Sequence, residues 1–415
     1  MRNYHCRWRA SLLMIGCIIA ISCKKSVTPS AVISKDIVLP GNGESIIAAN
    51  NKFAFDFLEA ALQNDHDLNN KLISPLSIHL ALSMVYNGAD NSTKNAIQHA
   101  LRLDNISIDD LNKTYQALIE QIPEADSKIN ISVANSIWYR QTIQPLPSFL
   151  NVTNNYYHAS INPLDFGNAN AVTIINKWAS DNTQQKIPKI LDNIEPTDVM
   201  FLLNAIYFKG AWQYQFDKSA TANNTFYLAN NQQISTPFMA LKNAALNYLQ
   251  NDSLKMVQLP YGAGNFNMFI LLPINNITIA DLASALKASS LENLQAHLQK
   301  VNLELYLPKF KYGYSIDNMK PALTGMGMAV AFSDEADFSK MYSAPVQISK
   351  AIHKTYIDVN EEGTEAAAVT AIGIGITSTA EPPPLNINHP FVYIIQEKTS
   401  GIILFTGVVN NPSLQ

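Results

Sequence analysis

Two stretches of this 415-residue chain carry residue types at spacings that could do chemistry. The first centres on Cys23, which follows Ala20-Ile21-Ser22 and precedes Lys24 and Lys25. Arg2, Arg7 and Arg9 lead into the apolar run 10–21. That is a basic region followed by a core of signal-peptide length, too short for a membrane span of about 20 residues. A small residue before the cut and a cysteine after it fit a bacterial lipobox, in which cleavage leaves Cys23 as the lipidated first residue. The second stretch is Glu361-Glu362-Gly363-Thr364-Glu365-Ala366-Ala367-Ala368-Val369-Thr370-Ala371, which runs on to a stop at Pro382-Pro383-Pro384. Counted by twos, Thr364, Ala366, Ala368, Thr370, Ile372, Ile374 and Ile376 form one small-to-apolar face. This is strand periodicity with nothing bulky at its leading end.

The familiar catalytic patterns are absent. There is no G-x-S-x-G, no H-E-x-x-H and no P-loop, and Gly373-Ile374-Gly375 is only a fragment of a dinucleotide fingerprint. None of the eight His pairs at metal-ligand spacing. All three cysteines (Cys6, Cys17 and Cys23) lie in the leader region, so the body has neither disulfide nor thiolate metal site. No enzyme, metal or cofactor is expected. Removal of residues 1–22 takes away three arginines and no acid, leaving 26 basic and 33 acidic residues, a charge of -7. Such a body lacks the basic face that nucleic acid requires, and its hold on a membrane would be the lipid.

The elements that must position these stretches follow from periodicity and caps. Helices are expected over 46–62, from Pro75 to Gly88 with Ser74 as cap, and over 92–101, 108–121, 169–183 and 281–298, with a weaker one over 318–328. Strands are expected over 129–139, 200–208, several within 226–273, and over 301–310, 346–359, 391–396 and 402–409. Helices interleaved with many strands imply one large α+β domain. The organisation expected is a lipoprotein signal peptide at 1–22, a flexible tether at 23–44 and a single domain at 45–415.

The hinge-like segment resembles that of inhibitory members of the serpin family, and the resemblance covers nearly all of 45–412. Supporting motifs are Ser74-Pro75-Leu76-Ser77, Asn204-Ala205-Ile206-Tyr207-Phe208-Lys209-Gly210 with Trp212, Leu307-Pro308-Lys309-Phe310, Ser349-Lys350-Ala351-Ile352-His353-Lys354, His389-Pro390-Phe391 and Phe405-Thr406-Gly407-Val408-Val409-Asn410. The resemblance implies the serpin fold: three β-sheets, eight or nine helices and an exposed reactive centre loop. It implies an inhibitor that a serine protease attacks to form an acyl-enzyme. The freed hinge then enters the main sheet as a new strand and drags the protease with it, so that deacylation stalls. It assigns Glu361, Glu362, Gly363, Thr364, Glu365, Ala366, Ala367 and Ala368 to the hinge and Ser74, Ser77, Asn204 and His353 to a polar shutter. Trp212 and the pair Lys309–Glu361 fall in the breach where insertion begins, and an ion pair there, at the surface, would restrain premature opening by ~0–1 kcal/mol. By the family count of seventeen from Glu361, the reactive bond is Thr377-Ser378; counting back from Pro390 points to Thr379-Ala380.

Uncharged, small or β-branched residues around that bond suit elastase-like or subtilisin-like pockets, not a trypsin-like one. The expected partners are those proteases and a membrane reached through the lipid. The protein is expected to be a monomer on the periplasm-facing or outer side of the cell envelope. Two rivals are a non-inhibitory serpin and a surface lipoprotein that binds glycans or nutrients.

Overall fold

The computed structural model describes Met1 and residues 34–64, 69–288, 291–364 and 384–414. Nine α-helices are present among the described residues: α1 (Gly43–Asn64), α2 (Pro75–Gly88), α3 (Asn91–Ala100), α4 (Ile108–Gln121), α5 (Pro147–Tyr157), α6 (Ala171–Asn182), α7 (Ile279–Ala288), α8 (Leu291–Ala296) and α9 (Lys320–Leu323). The strands are β1 (Lys71–Ile73), β2 (Ile129–Arg140), β3 (Ser160–Leu164), β4 (Met200–Ala211), β5 (Ala222–Tyr227), β6 (Gln233–Gln250), β7 (Leu254–Tyr261) and β8 (Phe266–Pro273). They continue with β9 (Gln299–Pro308), β10 (Phe310–Ile316), β11 (His353–Asn360), β12 (Gly363–Thr364), β13 (Pro384–Asn386), β14 (Phe391–Glu397) and β15 (Ile403–Val409).

By hydrogen bonding the described strands form two sheets. One has six strands in the order β10-β11-β12-β4-β2-β3. The other has nine, β1-β15-β14-β8-β7-β6-β9-β13, with β5 on β6. The three sheets expected from the family are still recognisable, because β6 shifts register between Leu241 and Ala244 and β6 and β9 run through both halves of the larger sheet.

Helix α2 shows how the core is assembled. Ser74 caps it, accepting from the Ser77 amide at 3.3 Å, and Pro75 fills the first turn, where no amide donor is needed. Nearly every residue from Pro75 to Gly88 is buried, which suits a helix enclosed on all sides. It packs against both β4 and β15, one from each sheet. Phe208 of β4 closes the same gap, with its ring 5.1 Å from Tyr261, 5.8 Å from Phe266 and 6.4 Å from Phe405 in edge-on contacts.

Several expectations need correction. The strand expected over 346–359 begins only at His353. Its neighbour β10 ends at Ile316, the residue that pairs with His353, so 346–352 have no ladder to join among the described residues. The strand expected over 301–310 is two strands in different sheets, with Lys309 at the crossover between Pro308 and Phe310. The helix expected over 281–298 is two, α7 and α8. Helix α5 was not among the expectations; its signals are Pro147 in the first turn and buried Phe149, Thr153 and Tyr157 at spacing four. Residues 34–44, expected within the tether, belong to the domain. The Lys35 amide donates to Ala125 O at 2.9 Å, Ile37 N to Thr399 Oγ1 at 3.0 Å and Val38 N to Gln121 Oε1 at 2.8 Å, so this part is strapped to the domain, and α1 starts at Gly43. The signal-peptide and lipidation expectations fall on 1–33, outside the described residues apart from Met1.

Truncating Phe208 to Ala should cost about 3–5 kcal/mol, because it empties the aromatic contact between the sheets. Urea unfolding of Phe208→Ala against the parent checks this; a loss under about 1 kcal/mol would show that the sheets are joined elsewhere.

Candidate functional site

Strands β4 and β11 are separated in the sheet order only by the two-residue strand β12. Gly363 pairs with Asn360 on one side and Ala211 on the other, and Thr364 pairs with Val359 and Gly210. Among the described residues, no other strand lies between β4 and β11. The rest of β4 is bonded to β2, and the rest of β11 to β10. Among the described residues, a slot without a ladder therefore runs from the two rungs along β4 and β11.

The upper end of this slot is built where the sheets meet. Glu361 and Glu362 turn the chain from β11 into β12, and their carbonyls accept from Phe216 N at 3.1 Å and Trp212 N at 2.9 Å. The Trp212 indole donates to Asn360 O at 2.9 Å and stacks on Tyr261, with ring centroids 4.3 Å apart and planes 14° apart. The Tyr261 hydroxyl lies 2.5 Å from Thr364 Oγ1. Gly363 has φ +157°, and a Cβ there would overlap Gly210 O and lie 2.7 Å from the Ala211 Cα, so only glycine fits the rung.

Lys309 arrives from the crossover and places Nζ 3.0 and 2.9 Å from the two Glu361 carboxylate oxygens, while Thr221 donates to Oε1 at 2.8 Å. The Glu361 side chain is 8% exposed, so this pair is less open to solvent than the surface ion pair expected. Burial alone would raise the Glu361 carboxyl, but the bonds from Lys309, from its own backbone and from Thr221 reverse this and hold it below the ordinary value. Lys218 pairs with Glu362 at the same turn.

Three of the four shutter candidates meet at the middle of the slot. The Ser74 amide donates to His353 Nε2 at 3.0 Å, which fixes that nitrogen as the acceptor. The Ser74 hydroxyl donates to Leu404 O at 2.7 Å, and Ser77 adjoins through its amide. Asn204 is on the other side, on β4. Its amide nitrogen donates to Asn135 Oδ1 at 2.8 Å, and Asn135 donates to Tyr157 O at 2.7 Å. Among the described residues Asn204 and His353 are not bonded to each other, and buried Asn204 Oδ1 has no hydrogen-bond partner. Asn135, Tyr261 and Thr221 had no sequence signal, because each is brought in by a distant strand or loop. Hinge residues Glu365, Ala366, Ala367 and Ala368 and the reactive bond Thr377-Ser378 lie outside the described residues, as does Thr379-Ala380.

The fold and this slot define a class of protein whose central sheet already holds the first two rungs of an additional strand. The family model described as serpin (serine protease inhibitor) matches residues 48–412. The chain is 36% identical over 390 residues to Serpin-Z2B of Triticum aestivum, covering 89% of this chain and 96% of that protein. It is 33% identical to the leukocyte elastase inhibitor of Xenopus laevis, covering 89% of this chain and all (100%) of that protein. Among solved structures it resembles the thermophilic serpin Tengpin in the native state, with TM-score 0.81, 31% identity and 91% of this chain and 97% of that one covered. It also resembles human thyroxine-binding globulin complexed with its hormone, with TM-score 0.82, 26% identity and 90% and 100% covered. The chain belongs to the serpin family.

Burial fixes the acid response of this region. It holds the His353 ring at a pKa of about 3, and it holds the His79 ring, behind the shutter on α2, at about 4 despite the bond to Leu101 O. Free imidazole titrates near 6.5, so on acidification the unfolded chain takes up these protons first. The stabilisation is full above about pH 6.5 and is lost as pH falls from there toward the two folded values. From about pH 7.5 to about pH 5 each ring should cost roughly 2 kcal/mol. A urea midpoint that falls over this range, and falls less in His79→Gln, is expected; a flat midpoint would contradict neutral burial of both rings.

Proposed function

We propose that this protein is a secreted, lipid-anchored bacterial inhibitor that traps serine proteases by inserting its cleaved reactive loop into the slot between β4 and β11. The observation that carries this is the register of the two rungs already made. Continued residue by residue from Thr364, it would set Ala366 opposite Phe208 and Ile357, Ala368 opposite Ile206 and Thr355, and Thr370 opposite Asn204 and His353. Phe208, Ile357, Ile206 and Thr355 are all buried, so small residues are what the inner face can accept. Glu365 would fall on the other face, between Lys209 and Asp358, both partly exposed. The alternation of the hinge thus agrees with the two faces of the slot. Thr370 would also bring a hydroxyl within reach of the unpaired Asn204 oxygen.

In this mechanism the protease attacks Thr377-Ser378 and forms an ester to Thr377, the Ser378 amine takes up the proton as leaving group, and β14 and β15 keep the C-terminal segment in the fold. The hinge then zips down the slot from Thr364. Each added residue gains ladder hydrogen bonds on two edges and buries its inner side chain, and the release is driven by that gain. Insertion has to outrun hydrolysis of the ester. Elastase-like or subtilisin-like proteases are the proposed targets, since Ile376 and Thr377 are uncharged and suit a shallow or broad pocket.

Incubation with a panel of serine proteases should give a heat-stable band at the summed mass on a denaturing gel, fastest with elastase-like or subtilisin-like enzymes. The C-terminal peptide that separates on denaturation should begin at Ser378. Thr364→Arg would place a long cation between Val359 and Tyr261, so it should turn the inhibitor into a substrate that is cleaved without trapping. Unchanged stoichiometry in that variant, or faster trapping of trypsin by the parent, would overturn the reading.

For the anchor, Cys23→Ala should release the protein from the membrane fraction or block processing, since acyl burial contributes about 0.8 kcal/mol per CH₂. An unchanged membrane fraction with normal leader cleavage would refute lipidation at Cys23.

A further inference from the structure

The slot has a second end, and it is tied shut by groups to which the established inhibitor chemistry gives no role. Asp198 lies just before β4, and its side chain is 0% exposed. The Ser349 hydroxyl donates to its Oδ1 at 2.7 Å, and Lys350 Nζ is 3.4 Å from its Oδ2. Ser349 and Lys350 belong to 346–352, the stretch leading into β11 that has no strand partner among the described residues. The carboxylate therefore links the two sides of the slot directly.

Each side is firmly held. On the β4 side, the Glu195 amide donates to Asp198 Oδ2 at 2.8 Å, and the Arg140 guanidinium at the end of β2 donates to Asp198 O at 3.0 and 2.8 Å. On the β11 side, Ile348 N donates to Ala331 O at 3.0 Å, and Met319 N donates to Ala351 O at 2.7 Å. Lys350 Nζ adds bonds across the gap to Asn193 O and Oδ1 at 3.1 and 3.2 Å. Beneath the clasp is a cavity of about 120 Å³ lined by apolar residues, among them Leu82 and Val85 of α2, Leu202 of β4, and Ile348 and Ile352. That space is small, and the pair of buried Asp198 with Lys350 lies across its mouth, so the slot has to widen before a full strand fits.

We infer that Asp198, with Ser349 and Lys350, is a clasp that sets how fast the slot opens to a strand along its full length. The inference rests on the insertion mechanism proposed above. The register of the first rungs makes it specific: Ser349 would face the residue ten positions beyond Thr364, and Asp198 the one twelve beyond. The first part of a strand can enter with the clasp shut, and the last part cannot. Breaking the clasp exposes a buried carboxylate before the new ladder forms, so it adds to the barrier and not to the final stability. Asp198 acts through the strands and touches no protease, so it is a positioning residue.

The test uses the mature full chain and a synthetic acetylated peptide with the sequence of residues 364–377. Uptake of the peptide is followed by native gel and mass spectrometry, without any protease. Asp198→Asn and Lys350→Met should take up the peptide about tenfold faster than the parent, as expected for one lost charge-assisted bond in the barrier. Lys350→Arg, which keeps the cation, should stay close to the parent; a merely structural effect would not separate Met from Arg. Should Asp198→Asn fail to fold, Lys350→Met and Ser349→Ala carry the test, since both leave Asp198 bonded to Glu195 N. Uptake within twofold of the parent in all folded variants, or no uptake by any of them, overturns the clasp. Trapping by the parent is scored separately. Trapping with unchanged uptake rates removes the clasp and leaves the inhibitor standing, whereas faster uptake without trapping does the reverse.

Discussion

The six-stranded sheet depends on two rungs of hydrogen bonds. Gly363 and Thr364 fill the place of a whole strand between β4 and β11, and below them the two strands face each other without a ladder among the described residues. An open edge is ordinarily a liability, because unpaired amides and carbonyls invite any strand that fits. Here the edges face inward, and the segment proposed to enter them continues from the same turn. Everything at the upper end serves to hold those rungs and no more. Gly363 gives the close approach to Gly210, Tyr261 meets the Thr364 hydroxyl, and Lys309 anchors Glu361.

Along the slot the layers are assigned by side-chain size. The inner face of β4 and β11 presents Phe208, Ile206, Ile357 and Thr355 toward the core, so an entering residue must be small. Helix α6 lies on the other face of the lower part, where Ile175 and Ala179 pack with Phe201, Leu203 and Trp138. In the proposed insertion the new strand would pass between that cover and α2. The polar groups at the middle and at the far end, His353 with Ser74 and Asp198 with Ser349 and Lys350, are where buried hydrogen bonds have to be exchanged. Their cost falls on the path and is recovered, if at all, only once the ladder closes.

Much of this was legible in the sequence where the signal is local. The Ser74 cap, Pro75 and the span of α4 depend on neighbours a few residues away, and Thr364 is buried in β12 as the first inward position of the alternation, whose remainder lies outside the described residues. The pairing of Lys309 with Glu361 was legible only through resemblance, and its partial burial was not, because that depends on Thr221 and the crossover between sheets. The stretch 346–352 misled for a physical reason. Val346, Ile348 and Ile352 have apolar spacing that suits a strand, but a strand exists only where a neighbour offers a ladder, and β10 stops at Ile316. Asp198 had no signal of its own, since the partners that give it a role across the slot are Ser349, 151 residues away, and Lys350 beside it, and its meaning comes from the slot it closes.

The central claim is that the facing edges of β4 and β11 are the acceptor for one more strand. Hydrogen exchange followed by mass spectrometry, before and after a protease nicks the loop between 365 and 383, tests this most directly. The account predicts that the alternate amides of β4 and β11 that point into the slot exchange readily in the intact protein and become protected after the nick, with the gain confined to those two strands and the inserted segment. Exchange in both strands that is unchanged by cleavage would contradict it.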